Sequence, residues 1–308
     1  MKYIEELSLY TKDGYYFRDF NFLNTTKYAI QINPYKINET LSYIRKNTIT
    51  FIELNSTLFD KEYENLNFLL EIADIVEGIG MNEDNDLNIL NQLKKLRELS
   101  IFRICKKNTT IVDFNNLPNL EVLSIDYSEK NLKNLSSLKN LKKVLLYYIN
   151  DDVLQNILQS KLIYDLRIRQ SSITSISSLK ELTLLENLEL YDNRKLTSLE
   201  GLGYLKKLSK IEIETCNKIE DLSPLSTSTS LERIILINQK KLISINPLKK
   251  INSLKSLKLE DDTNILDGDM SIHQQLEHFS TLPKKHYFPK ELMDFIRAER
   301  KKIWKSLE

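Results

Sequence analysis

The feature that most limits what this chain can fold into is a motif, apolar-x-x-apolar-x-apolar, repeated along nearly its whole length. Its middle apolar residue falls at Leu7, Ile30, Ile52, Ile79, Leu99, Leu123, Val144, Leu166, Leu188, Ile211, Ile234 and Leu257, with spacings of 20 to 27 residues. The residue two positions later is apolar in every copy. This short alternation has the period of a half-buried strand. A unit of about 22 residues cannot bury an apolar face alone, so the copies must stack. Stacking in one orientation predicts a parallel sheet, with strands roughly 4.8 Å apart and a ribbon on the order of 50 Å long.

The remainder of each copy has to carry the chain back. In "LNQLKKL", "LSSLKNL" and "LGYLKKL" leucine recurs every third residue, the spacing of a short helical or 3₁₀ turn. Pro224 and Pro247 shorten any helix in their return segments. "YENLNFLLEIADIVEG", ahead of Ile79, is long enough to predict a fuller helix.

The stretch "LENLELYDNRKLTSLEGLGYLKKLSKIEIETCNKIEDLSPLSTSTSLERIILIN" resembles the bacterial leucine-rich repeats of the internalin type, at about 22–23 residues each. The resemblance is close over residues 87–260 and looser over 1–86. It implies an α/β, right-handed solenoid, or horseshoe, with a parallel sheet on the concave face and short helices or 3₁₀ turns on the convex face. Asn193 and Cys216 occupy the ladder position of the family pattern. Elsewhere that position holds Lys12, Tyr35, Thr57, Asp84, Ile104, Ser128, Ile149, Ser171, Gln239 and Asp262, a departure from a continuous asparagine ladder. The organisation expected is a solenoid over 1–265, of about 12 repeats with the first three irregular, and a capping segment over 266–308. A helix about 289–306 begins at Pro289 and carries the apolar stripe Leu292, Phe295, Ile296, Ile303, Trp304 and Leu307. Its basic set, Arg297, Arg300, Lys301, Lys302 and Lys305, offers a second role for the tail, on a membrane surface or a second protein.

If the middle apolar residue points inward, its neighbours one before, one after and three after point out onto the concave sheet. One outward column then reads Phe102, Asp126, Tyr147, Arg169 and Tyr191 in five successive copies, with Leu145 and Arg167 beside it and Arg103, Tyr127 and Tyr148 at the rim. Aromatic and arginine side chains dominate binding hot spots because they bury large areas and keep a polar handle. Glu189, Glu212 and Glu214 make the following strands acidic. Together these residues form the expected partner-binding surface. Stacking of Tyr and Arg as plain cross-strand ladders is the alternative reading.

Charge and composition narrow the partner class. Lys+Arg at 44 against Asp+Glu at 43 shows none of the basic excess of a nucleic-acid binder. Cys105 and Cys216, 111 residues apart, argue against a disulfide framework and suit a reducing compartment. "MKYIEELSLYTKDG" has no apolar stretch behind its lysine, so no secretion signal is expected, and no run approaches a membrane span. Both cysteines read as structural, since a nucleophile needs a nearby base and the three histidines lie far downstream. His273, His278 and His286 are spaced by 5 and 8, not the i, i+4 of helical metal ligands. "EDDTNILDGDM" lacks calcium-loop spacing, and six glycines leave little room for a phosphate loop. No catalytic residue, cofactor or metal is therefore expected, and the chain is not read as an enzyme. The expectation is a cytoplasmic protein-binding module, monomeric when free, serving as an adaptor or regulator, with no nucleic-acid or membrane partner. The alternative is an inhibitor, such as an immunity protein that occludes the active site of a cognate toxin or enzyme.

Overall fold

The computed structural model describes residues 2–4, 9–20, 27–81, 87–102 and 109–282. It divides into two compact units, residues 1–169 and 170–308. Each is described by itself.

The first unit opens with β1 (Lys2–Ile4), β2 (Leu9–Lys12), β3 (Tyr15–Phe20) and β4 (Lys27–Gln31), paired antiparallel in succession. Asp13 and Gly14 both have positive φ, 54° and 82°, so β2 and β3 are joined by the two-residue turn that suits a hairpin. The sequence motif at Leu7 had predicted a parallel copy there. Leu7 itself lies outside the described residues, but β2 beside it is antiparallel, because a two-residue turn can join strands in no other way.

From β4 onward the sheet is parallel. α1 (Ile37–Asn47), β5 (Phe51–Leu54), α2 (Ser56–Phe59), β6 (Gly78–Met81) and β7 (Glu98–Ile101) follow. Then come β8 (Val112–Asp113), β9 (Val122–Asp126), β10 (Leu132–Lys133), β11 (Lys143–Tyr147), α3 (Asp151–Ile157) and β12 (Asp165–Arg169). Ile30, Ile52, Ile79, Leu99, Leu123, Val144 and Leu166 stand opposite one another across β4, β5, β6, β7, β9, β11 and β12. All are fully buried or nearly so. The repeated motif therefore sets the register: a slip of one residue would turn every one of these side chains to the opposite face. β8 and β10 form a separate two-stranded parallel pair.

The second unit continues the same plan with β13 (Asn187–Tyr191), β14 (Lys210–Glu214), β15 (Arg233–Ile237), β16 (Ser256–Glu260) and β17 (His278–Thr281). Leu188, Ile211, Ile234, Leu257 and Phe279 stand opposite one another. A strand-and-turn copy thus follows the one at Leu257, within the segment expected to begin the cap. The helix expected at 289–306, with Trp304, lies outside the described residues.

Return segments are short. "LNQLKKL" begins within the 3₁₀ turn Leu87–Gln92, and Pro224 and Pro247 lie in the turns Ser223–Leu225 and Asn246–Lys250. The fuller helix expected in "YENLNFLLEIADIVEG" is instead a 3₁₀ turn, Asn67–Ile72. Its leucines serve the same three-residue spacing as the other returns.

The strand ends from β11 to β16 share one device. The residue after β11 in the first unit, Tyr148, is left-handed, and so in the second unit are Gln170, Asp192, Thr215, Asn238 and Asp261, with φ between 48° and 61°. The N–H of Tyr148 donates to Arg169 O at 3.3 Å, and those of Asp192, Thr215 and Asn238 donate to Glu214, Ile237 and Glu260 at 2.9, 3.0 and 3.3 Å. The bend turns the next side chain inward, onto the ladder position. In the second unit Cys216 Sγ donates to Leu190 O at 3.6 Å, Gln239 Nε2 to Ile213 O at 3.4 Å and Thr263 Oγ1 to Leu236 O at 3.0 Å. These carbonyls are the equivalent one in each preceding copy. At the last of these copies the ladder residue is Thr263 rather than Asp262, which is exposed.

Burial pushes the Cys216 thiol up to about 12. A neutral thiol is a poor nucleophile. Iodoacetamide at pH 8 should therefore leave Cys216 unmodified in the folded chain and alkylate it fully in urea, as read by peptide mass spectrometry. Rapid alkylation in the folded chain would show that the ladder is open to solvent.

Candidate functional site

The open face of the sheet, turned away from the apolar core, carries the candidate surface. In the first unit Asp126, Tyr147 and Arg169 stand in one register row on β9, β11 and β12, and Phe102 directly follows β7. All four are half-buried. The rings of Phe102 and Tyr147 meet edge to face above the Asp126 strand, centroids 5.9 Å apart at 85°. Arg169 lies with Cζ 5.9 Å from the Tyr147 ring and donates from Nη1 to its hydroxyl at 3.1 Å. Edge-to-face rings and a guanidinium beside a ring are each attractive through the ring quadrupole. The stripe is thus held in one arrangement by its own contacts.

Tyr148 extends it. Its ring centroid is 5.9 Å from that of Tyr147, and the side chain is 56% exposed at a φ of 61°. A tyrosine in left-handed backbone costs on the order of 1–2 kcal/mol, which glycine would avoid. Tyr127 is half-buried beside the stripe, and burial, then the charge of Glu129, raises its hydroxyl pKa. Arg167 is clamped by Asp165 of its own strand, Nε to Oδ1 at 3.1 Å and Nη2 to Oδ2 at 3.3 Å.

Two expected members stand differently. Leu145, expected on the surface, is 5% exposed, set between Ser124 and Arg167 in register. Arg103 lies outside the described residues. In the second unit Glu189 stands opposite Glu212 and Tyr191 opposite Glu214, all half-buried. Lys210 Nζ, 3.0 Å from Glu212 Oε2, relieves part of that like-charge crowding. Ile235 and Ile237 continue the two rows.

The earlier strands of the first unit hold what the sequence pattern did not reveal. Gln31, Glu53, Glu98, Ser100 and Ser124 all lie on the open face yet are 0–6% exposed. Arg18 Nη1 reaches Glu53 Oε1 at 2.8 Å, and Lys27 Nζ reaches Glu98 Oε1 at 3.0 Å while lying 4.0 Å above the Phe51 ring. Gly78 stands between Phe51 and Glu98 in register, and a Cβ there would run into the Phe51 ring. Asp13-Gly14 was the available signal for the hairpin that supplies Arg18; Lys27 opens β4, which pairs antiparallel with β3.

Among the residues weighed as catalytic or metal-binding, Asp267, Asp269, His273 and Cys216 make hydrogen bonds within the fold. Asp267 Oδ1 accepts from Asp269 N–H at 3.1 Å, and Asp269 Oδ1 accepts from Ser271 N–H at 2.8 Å, holding a turn. His273 Nδ1 is 2.8 Å from Met270 O. His278 is exposed on β17. Cys105 and His286 lie outside the described residues. No helix among the described residues is long and apolar enough to cross a membrane.

No protein-family model and no curated protein matches the sequence. Solved structures do match. A leucine-rich repeat protein of Leptospira interrogans aligns with a TM-score of 0.51 and 17% identity, over 79% of this chain and 71% of its own. The fold is a leucine-rich repeat array. A chain of the Drosophila Toll–Spatzle complex aligns with a TM-score of 0.53 and 15% identity, over 88% of this chain and 40% of its own. A Listeria monocytogenes internalin aligns over 85% of this chain and 87% of its own, with 16% identity and a TM-score of 0.42. The open face described above is the strand-lined face of that repeat array, and the left-handed bends are its strand exits.

Replacing Tyr148 with glycine separates strain from contact. Tyr148→Gly should change unfolding free energy by between 0 and about +1 kcal/mol, because relief of left-handed strain offsets the lost ring contact. Urea titration by circular dichroism measures this. A loss of stability instead would make the tyrosine a structural brace.

Proposed function

We propose that this protein is a non-catalytic protein-binding module of the cytoplasm, an adaptor or regulator that holds its partner on the open face of the first unit. The observation that carries the reading is the Phe102–Tyr147–Arg169 stripe, with Tyr148 kept beside it at a cost in backbone strain. Large side chains already fixed by mutual contact lose little further entropy when a partner covers them. Tyrosine and arginine are also the types most enriched at binding hot spots. Asp126 within the row, and Asp165 clamping Arg167, break up the positive charge, so the surface suits a mixed polar and aromatic protein epitope rather than a polyanion. The second unit, with Glu189, Glu212 and Glu214, offers an acidic contact region of its own. One structural neighbour, of the Toll–Spatzle complex, is known in a complex, in keeping with a binding role for the fold.

The test is affinity capture from native lysate with the wild-type chain and a Tyr147→Ala/Arg169→Ala double variant shown by circular dichroism to be folded. The wild type should retain one specific protein, and the double variant should retain it at least tenfold less well, the scale of one hot-spot residue. Equal recovery by both would move the site off this stripe. Adaptor and inhibitor separate at the next step: a partner whose own activity is lost in the complex is being inhibited.

A further inference from the structure

The open face of the second unit has an apolar centre. Ile235 and Ile237 take successive outward positions on β15, and both are half-buried. Their register neighbours are charged: Glu212 and Lys258 beside Ile235, Glu214 and Glu260 beside Ile237. Glu189 stands one strand further on, opposite Glu212. We propose that this surface is the seat of the chain's own carboxyl-terminal segment, residues 289–308, which covers it until a partner displaces it. The proposal rests on the reading of the second unit's acidic region as a contact surface and does not depend on the stripe of the first unit.

Two isoleucines in sequence on the outer face of a strand leave apolar area in water, and burying that area is favourable. The carboxylates around them set the charge of what can bury it. Glu212 pairs with Lys210 at 3.0 Å and Glu260 with Lys258 at 3.5 Å, each on its own strand. Such partly exposed pairs are weak, and a carboxylate can accept from more than one donor. The matching occupant is an apolar stripe with cations along it.

Residues 289–308 lie outside the described residues and have that pattern in sequence. At the spacing of the helix predicted there, Leu292, Ile296, Ile303 and Leu307 fall on one side, with Trp304, Arg297 and Arg300 along its edge. From Arg297 to Lys305 five cations accompany one carboxylate, Glu299. Such a helix laid on an apolar surface is a common mode of recognition. The lengths also fit. The described residues end at Leu282, directly after β17, and β15 is two strands away, about 10 Å. Residues 283–288 reach up to roughly 20 Å. A link this short holds the segment at an effective concentration on the order of millimolar, so a contact too weak for a free peptide suffices.

Trp304 is the chain's only tryptophan, so its emission reports on this segment alone. In the full-length protein that emission should be blue-shifted from its value in urea. Ile235→Ser/Ile237→Ser, shown by circular dichroism to be folded, should return it to the urea value. Carbodiimide cross-linking of the wild type should join Lys301, Lys302 or Lys305 to Glu212, Glu214 or Glu260 within the monomer band, as read by peptide mass spectrometry. A wild-type emission already at the urea value overturns the proposal. So does a blue shift that survives the double variant, which would put the segment at the end of the array beside β17. Cross-links that are absent, or found only between two copies, overturn it as well, and they decide the matter even if the double variant does not fold. Neither readout involves Tyr147 or Arg169, so failure here leaves the binding role of the first unit standing.

Discussion

Everything in this molecule depends on the register between neighbouring parallel strands. Each copy commits two apolar side chains to the inside, and those side chains align from Ile30 to Leu166 in one unit and from Leu188 to Phe279 in the other. Because the strand period is two, the same alignment delivers the alternate residues to the open face in rows. The aromatic stripe is therefore a by-product of core packing. Phe102, Tyr147 and Arg169 meet because Leu99, Val144 and Leu166 are locked in line beneath them.

From β11 to β16 the chain turns sharply at the strand exits, and it does so without glycine. Tyr148, Gln170, Asp192, Thr215, Asn238 and Asp261 all take left-handed backbone, a cost on the order of 1 kcal/mol or more apiece. Hydrogen bonds to the next strand and the inward ladder residue offset it. The ladder also explains how the chain departs from an asparagine pattern and keeps the architecture. In three copies of the second unit the ladder residue is a small buried donor aimed at one carbonyl of the copy before, whereas at Ile149 in the first unit it is apolar. The three donors are a thiol at Cys216, an amide at Gln239 and a hydroxyl at Thr263. Thr263 is shorter than glutamine and enters one residue later than Asp262.

Much of the candidate surface was legible in the sequence, since face and row follow from the period. Tyr147 falls beside Arg169 and Asp126, as the spacing predicts. Burial on that face did not follow from the period. Leu145 occupies an outward position yet is buried, because the neighbouring rows close over it. Gln31, Glu53 and Glu98 likewise occupy outward positions, but Arg18 on β3 and Lys27 on β4 reach across to Glu53 and Glu98. Lys27 and Glu98 are 71 residues apart, and no spacing rule connects them. The pairing of Arg167 with Asp165 was legible, being i, i+2 on one face of a strand.

By itself the sequence determined the repeat, its parallel register, the two faces and the identity of the side chains in each row. These follow from apolar periodicity, which is a local property repeated many times. The tertiary structure alone decided which outward residues are exposed, where the antiparallel entry stops and the parallel stack begins, and that Gln31 is buried with its amide on Glu53. Those outcomes depend on long side chains crossing several strands and on a two-residue turn overriding an apolar motif. Such contacts join residues distant in the chain, and only the folded backbone brings them within reach.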